Sequence, residues 1–382
     1  MKVLHVITSL MTGGAEVMLQ KLVLGLAPRG YDATVVSLTS LSRIGEELRE
    51  SGIPVVALGG RGGILLPQHA AKLLAVYRRM RPELVHTWMY HANLVGHLLL
   101  GLNGHRARPA LVSSVRGALH AARQQKLSLR MVRRLDARLS GSADAIVFNS
   151  RRSAEQHRAI GYAMDRATVI PNCFDPTLFR PNQAERERIR RELGCGNGVL
   201  VGLVARFDRM KDHRTFLEAA GVVAARDPRC AFLLAGRGCD PENAQLADWI
   251  GRYRLSGRVY TLGERSDIPA IHAALDVAVC SSISESFPNA IGEAMACGVP
   301  AVVTDVGACA VLVGDTGKVV VPGDPRALAE ALLEMTALSA DARIALGARA
   351  RERVIAEFST DRIVDMYIEV YRSCVGRHGS PT

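Results

Sequence analysis

The sequence offers no framework for disulfides or structural zinc: its eight cysteines (173, 195, 230, 239, 280, 297, 309, 374) include no C-x-x-C pair. Cys280 and Cys297 lie inside apolar runs, so the set reads as reduced core thiols, which favours a cytosolic location. Long hydrophobic runs are lacking too. The longest, Ala92–Gly104, holds Asn93, His97 and Asn103 and falls short of the roughly 18 residues a spanning helix needs, so a soluble protein is expected. Aromatic residues make up only 5% and no nucleic-acid-reading motif is present, which argues against a nucleic-acid-binding protein. Neither G-x-G-x-x-G nor G-x-x-x-x-G-K-[ST] occurs, so dinucleotide oxidoreductases and P-loop nucleotide triphosphatases lose ground.

What is present is a globular composition, 48% hydrophobic and 22% charged, over 382 residues, enough for two ordinary cores. Lys2 followed by Val3–Leu10 resembles a short signal peptide, but the run leads into Gly13-Gly14 and an amphipathic helix, so it reads as a first strand. The net charge of +11 is unevenly spread. Residues 1–180 carry 24 Lys and Arg against 11 Asp and Glu, whereas the remainder carries 24 against 26. A basic first half suits a polyanionic surface, nucleic acid or anionic membrane, although a merely solubilising surface has the same signature.

Short apolar runs alternate with helical patterns. Strands are expected at Val3–Ile7, Thr34–Leu38, Val55–Leu58, Leu84–His86, Leu111–Ser114, Ala145–Phe148 and Thr168–Ile170. A second series follows at Val199–Val204, Ala231–Ala235, Val259–Leu262, Val277–Cys280, Ala301–Thr304 and Lys318–Val321. Between the first two strands, Ala15, Met18, Leu19, Leu22, Val23 and Leu26 form one apolar helix face. Continuous apolar strands separated by helices indicate parallel sheets covered on both faces. The expected fold is therefore α/β: two doubly wound, Rossmann-like domains, 1–172 and 190–357, facing a cleft. Pro171–Pro176 opens the hinge, and residues 358–382 form a tail whose helix, about Asp361–Tyr371, packs back on the first domain. Ligands in such sheets bind beyond the carboxyl ends of the strands.

Three segments can carry chemistry there. In Ser281–Pro300 a strand ends, a polar loop follows, and a helix opens near Pro288–Asn289 and stops at Gly298. Its N-terminus suits a phosphate, Glu285 in the loop can accept from hydroxyls beside it, and Glu293 can hold a second polyol. Alternatively the two acids are an ordinary helix-end charge and a surface residue. Val204–Asp212 places Arg206 and Lys211 after a strand, where two cations can neutralise a diphosphate leaving group; a solvated turn would look the same. Met11-Thr12-Gly13-Gly14-Ala15-Glu16 allows close backbone approach to a phosphate or sugar.

Together these segments resemble the signature of the retaining family 4 glycosyltransferases with the GT-B fold. The resemblance rests on Glu285-x7-Glu293 with Ser286-Phe287-Pro288-Asn289 between, on Arg206 and Lys211, on Gly13-Gly14-Ala15-Glu16, on Gly263–Pro269 and on Val169–Asn172. It runs in family order from residue 13 past 300. It implies metal-independent transfer of a sugar from a nucleotide diphosphate-sugar, most simply a UDP-sugar, with retained anomeric configuration and no cofactor. It also implies that Arg206 and Lys211 bind the diphosphate, Glu285 the donor sugar and Glu293 the ribose. Gly13 and Gly14 belong to the loop near the distal phosphate, Arg265 and Ile268 flank the base, and Phe287, Pro288 and Asn289 complete the donor site.

Two departures from the family pattern stand out. Where many members carry a His in V-x-x-x-H, this chain has Val112-Ser113-Ser114-Val115-Arg116, with His120 beyond. Arg116 does not deprotonate and can only stabilise negative charge. His86, His91 or a donor phosphate oxygen are the alternatives for a base. Val311 stands where the family often has Glu.

On the acceptor side, residues 116–158 hold ten Lys or Arg and three acids, and Leu127, Met131, Leu135 and Leu139 recur every four residues. This basic amphipathic helix either docks on an anionic inner-membrane surface or packs its apolar row on the first domain. The expected protein is a cytoplasmic, membrane-peripheral enzyme extending a cell-surface glycan, such as lipopolysaccharide, on a glycan or lipid-linked acceptor. Competing readings are an epimerase or inverting transferase of the same fold, a non-catalytic nucleotide-sugar binder, and a basic nucleic-acid-binding protein.

Overall fold

The computed structural model describes residues 1–11, 13–60, 66–101, 108–119 and 127–379. Thr12, Asn103, His120, Arg123 and Lys126 lie outside the described residues. The chain divides into two compact units, one of residues 1–173 with 360–382, the other of residues 174–359.

The first unit runs β1 (Lys2–Ile7), α1 (Gly14–Leu26), β2 (Asp32–Ser37), α2 (Ser42–Glu50), β3 (Val55–Ala57) and α3 (Pro67–Met80). It continues with β4 (Leu84–Trp88), α4 (Tyr90–Gly101), β5 (Ala110–Val115), α5 (Leu127–Leu139), β6 (Ala145–Phe148), α6 (Arg151–Arg158) and β7 (Ala167–Val169). The second unit comprises α7 (Gln183–Leu193), β8 (Val199–Val204), α8 (His213–Arg226), β9 (Cys230–Ala235), α9 (Ala244–Arg252), β10 (Val259–Thr261) and α10 (Ile268–Ala274). After these come β11 (Val277–Cys280), α11 (Asn289–Ala296), β12 (Ala301–Thr304), α12 (Cys309–Val313), β13 (Gly317–Val320), α13 (Pro325–Ala337) and α14 (Ala340–Phe358). The last helix, α15 (Thr360–Gly379), returns to the first unit.

The strands order 3-2-1-4-5-6-7 in the first unit and 10-9-8-11-12-13 in the second. Neighbouring strands pair in parallel, as the doubly wound reading expects. All thirteen expected strands are present, four with the expected bounds and the rest with ends moved by a residue or two. The register pairs Val6 with Val36 and Thr87, and Val201 with Phe232 and Val277, so each central strand is flanked by a paired strand on both sides. β4 runs on to Trp88 rather than stopping at His86, because His86, Thr87 and Trp88 are all fully buried. Their polar atoms find partners in the core: His86 bonds Tyr371 Oη (2.6 Å) and Ser114 Oγ (2.8 Å), and Thr87 Oγ1 donates to Asn93 Oδ1 (2.8 Å).

Helix α15 outlasts its expected end at Tyr371 because Cys374, one turn on, is also buried. Its Ile363, Val364, Tyr367 and Tyr371 belong to the same core as Val3, Leu19, Leu22 and Trp88. A fully buried side chain of this kind contributes about 1.5–3 kcal/mol, which holds the tail on the first unit.

Candidate active site

In each unit the strand order reverses at one place, between β1 and β4 in the first and between β8 and β11 in the second. There the loops after the two central strands lead in opposite directions and leave a crevice at their carboxyl ends.

In the second unit that crevice is built by capping. Asp208 accepts from the Met210 amide (2.8 Å) and opens a 3-10 turn over Arg209–Lys211. Asp212, at φ 50°, accepts from the Thr215 amide (3.2 Å) and hydroxyl (2.6 Å) and starts α8. Between the two caps Lys211 is presented after β8. The loop after β11 is fastened to it: Ser281 Oγ donates to the carbonyls of Lys211 (2.8 Å) and Asp212 (3.1 Å), and the Ile283 amide donates to Met210 O (2.9 Å). Thr304 Oγ1 donates to the carbonyl of Ser282 (2.6 Å). Gly307, at φ 55°, lets the next turn close behind; a Cβ there would stand 2.4 Å from the Glu285 carbonyl.

The result is a hydrogen-bonded ion pair between Lys211 Nζ and Glu285 Oε1, with Ser282 Oγ donating to the same oxygen (2.8 Å). Glu285 is 11% exposed and Lys211 24%. Burial works against the ammonium charge, but the carboxylate outweighs it and holds Lys211 above its ordinary pKa. Arg206 is 56% exposed, with Nε 3.3 Å from Asp208 Oδ2. Glu293, in the second turn of α11, is 17% exposed and lies 3.6 Å from His272 Nε2.

Other expected donor residues are placed differently. Arg265 grips Asp267 with two bonds of 2.8 Å and Glu192 with one of 2.7 Å, so its guanidinium is committed to an ion-pair cluster. Ile268 begins α10 half-buried, and Asn289 begins α11 behind a buried Pro288. Phe287 is buried, its ring 6.2 Å from Phe174 and 6.0 Å from Phe358, so it braces the loop from the core. Val311 is 63% exposed on α12. Ser281, Ser282, Asp208 and Asp212 escaped the sequence reading. Asp212 with Thr215 three residues on is a legible cap signal, whereas nothing local marks the serines.

At the reversal in the first unit stand Gly13, the cap of α1, and Gly14, its first residue, with Glu16 one turn in. Burial raises the Glu16 pKa, although its own backbone amide and Ser9 Oγ, 3.3 Å away, oppose the shift. After β4 comes Met89 at φ 71° and then His91, half-buried on α4. Burial lowers the His91 pKa despite the charge of Asp136, so the ring is neutral near pH 7 and able to accept a proton.

His86 is a core residue; burial, then His5 and Arg116, push its pKa well down. Arg116 is not free to stabilise a developing charge, which corrects the expectation from sequence. It is 7% exposed, and its guanidinium donates to Asn172 Oδ1 (2.7 Å), Pro171 O (3.1 Å) and Tyr367 Oη while lying 5.6 Å from the Trp88 ring centre. It clamps β5 to residues 170–172 and α15.

On α5, Leu127, Met131 and Leu135 are 69%, 63% and 49% exposed while Leu139 at the end of the row is half-buried, so the first three members of the row do not pack on the unit. Arg133 is buried instead, 5.7 Å from the Tyr90 ring centre, and drops out of any basic surface. No helix among the described residues is long and apolar enough to cross a membrane. A cavity of about 700 Å³ in the second unit opens at the amino ends of β11 and β12, lined by Arg186, Leu275, Val299 and Ile344, remote from Lys211 and Glu285.

Two family profiles match the chain, Glycosyltransferase Family 4 over residues 12–178 and Glycosyl transferases group 1 over residues 198–337. N-acetyl-alpha-D-glucosaminyl L-malate synthase of Bacillus anthracis is 27% identical over 221 residues, 57% of this chain and 56% of that protein. D-inositol 3-phosphate glycosyltransferase of Mycobacterium bovis is 30% identical over 250 residues, 62% of this chain and 50% of that protein. The chain thus spans about half the length of the curated relatives it matches. The crystal structure of Anabaena HepE in complex with UDP aligns with a TM-score of 0.85 and 25% identity, covering 98% of this chain and all of that one. A further HepE structure holds UDP-glucose, with a TM-score of 0.83. With both units matched in family order and a GT-B structure matched along nearly the whole chain, the protein belongs to glycosyltransferase family 4.

Proposed function

We propose that this protein transfers a sugar from a nucleotide diphosphate-sugar, a UDP-sugar, to a glycan or lipid-linked acceptor of cell-surface polysaccharide, with retention and without a metal ion. The observation that carries the reading is the Lys211–Glu285 pair at the reversal between β8 and β11, with Arg206 beside it. The two cations meet the negative charge that grows on the departing diphosphate, the role a divalent ion takes elsewhere. Glu285 turns from Lys211 to the sugar hydroxyls, and Glu293 accepts from the ribose. The amides opening α11 add donors for phosphate. A donor phosphate oxygen takes the acceptor proton. UDP and UDP-glucose in the HepE structures support the choice of donor.

The first unit serves the acceptor from the cytoplasmic face of the membrane. Its exposed Leu127, Met131 and Leu135, flanked by Arg130, Arg134 and Arg138, suit an anionic lipid surface. The test is a panel of nucleotide sugars with a chelator present, followed by NMR of the product. Transfer with the donor's anomeric configuration kept supports the reading. Inversion, epimerised donor or a strict divalent requirement refutes it.

A further inference from the structure

His272 sits where helix packing alone calls for an apolar side chain. Its neighbours on α10, Ala270, Ile271, Ala273 and Ala274, are buried and apolar, and His272 itself is 1% exposed. Its ring lies edge-on to Phe179 at 6.2 Å. Neither Nδ1 nor Nε2, both shut off from solvent, has a hydrogen-bond partner among the described residues. Buried polar atoms of this kind are rare because losing water without gaining a partner destabilises the fold, so an orphaned pair needs a reason. The nearest acid supplies one: Glu293 Oε2 is 3.6 Å from Nε2, a fraction of an ångström beyond a hydrogen bond.

We propose that His272 is a positioning residue for Glu293, its Nε2–H bonding Oε2 and holding the carboxylate in the rotamer that receives the ribose hydroxyls of the donor. This rests on the ribose role given to Glu293 above. One oxygen is then occupied from behind by the imidazole and the other faces the nucleotide. The amino-acid choice follows from the geometry: a phenyl ring would fill the space beside Phe179 equally well but has no N–H to offer.

The experiment measures dissociation constants for UDP and for 2′,3′-dideoxy-UDP in the 382-residue protein and in His272→Phe, His272→Gln and Glu293→Gln. His272→Phe is expected to weaken UDP about tenfold, the loss of one hydrogen bond to a charged group. It should leave dideoxy-UDP unchanged, which also reports an intact second unit. His272→Gln, which retains an N–H, should recover UDP binding to within about threefold. In turnover the defect of His272→Phe should fall on the donor KM more than on kcat. Equal UDP affinity in wild type and His272→Phe, alongside a ribose-dependent loss in Glu293→Gln, overturns the positioning role and leaves the ribose reading standing. If Glu293→Gln weakens UDP and dideoxy-UDP alike, the ribose reading fails and this inference fails with it. A loss in His272→Phe that is equal for both nucleotides, or that His272→Gln does not relieve, marks a merely structural residue and also overturns it.

Discussion

Lys211→Met separates catalysis from stability at one position. The substitution keeps the stem and removes the charge. Glu285, 11% exposed, then has Ser282 Oγ as the partner left to that carboxylate oxygen, and the diphosphate has Arg206 alone of the two cations. Breaking a buried ion pair by removing one partner costs about 3–5 kcal/mol, and the 24% exposure of Lys211 lowers that to roughly 2 kcal/mol. Removing one charge-stabilising donor from the leaving group costs a further 2.7–4 kcal/mol or so in the transition state, about a hundred- to a thousandfold in kcat. The double variant Lys211→Met/Glu285→Gln no longer buries a lone charge, so most of the stability returns while activity stays low. Stability of the second unit is read by hydrogen exchange of the β8 and β11 amides in urea, and kcat with the best donor from the panel. Stability losses that add to within about 0.5 kcal/mol would refute the pairing argument, and near-normal kcat in Lys211→Met would refute the leaving-group role.

Arg116→Leu removes the donor to Asn172 Oδ1, Pro171 O and Tyr367 Oη from the core, and should destabilise the first unit by about 3 kcal/mol, or ~6–12 °C in Tm, with donor binding intact; an unchanged Tm contradicts the clamp. Burial lowers His5 to about 3 and, opposed by the Ser153 carbonyl, His157 to about 4. Both bind protons more readily when unfolded, so their contribution is complete above pH 6.5 and lost as pH falls through the window down to 4–3. At pH 5 each removes about 2 kcal/mol, and urea unfolding that is flat between pH 7 and 5 would count against this. Changing Leu127, Met131 and Leu135 to Ser, or Arg130 and Arg134 to Gln, should weaken binding to phosphatidylglycerol vesicles at least fivefold without altering UDP affinity; undiminished vesicle binding excludes α5 as the docking face.

The strands were legible because a parallel sheet covered on both sides demands continuous apolar runs, and Val3–Ile7, Val199–Val204 and Val277–Cys280 satisfy that demand locally. Their ends were less legible where polar groups enter the core: His86 and Thr87 look like a strand's exit until Ser114, Tyr371 and Asn93 are seen to satisfy them. For the site, chemistry and spacing made Arg206, Lys211, Glu285 and Glu293 candidates, but a solvated turn and an ordinary helix-end charge read the same way, and it was the family resemblance that assigned them roles.

What residue order by itself determined is therefore the alternation of strand and helix, the two-unit division of cores and the few charges worth watching, all written within a turn or two of sequence. Tertiary structure decided which charges are free. Lys211 and Glu285, 74 residues apart, become partners because the strand order reverses between β8 and β11. Arg116, Arg133 and Arg265 are withdrawn by Tyr367, Tyr90 and Asp267, while Leu127, Met131 and Leu135 are left bare. Hydrogen bonds and ion pairs act over about 3 Å in space, so a side chain's availability depends on distant neighbours that only packing supplies.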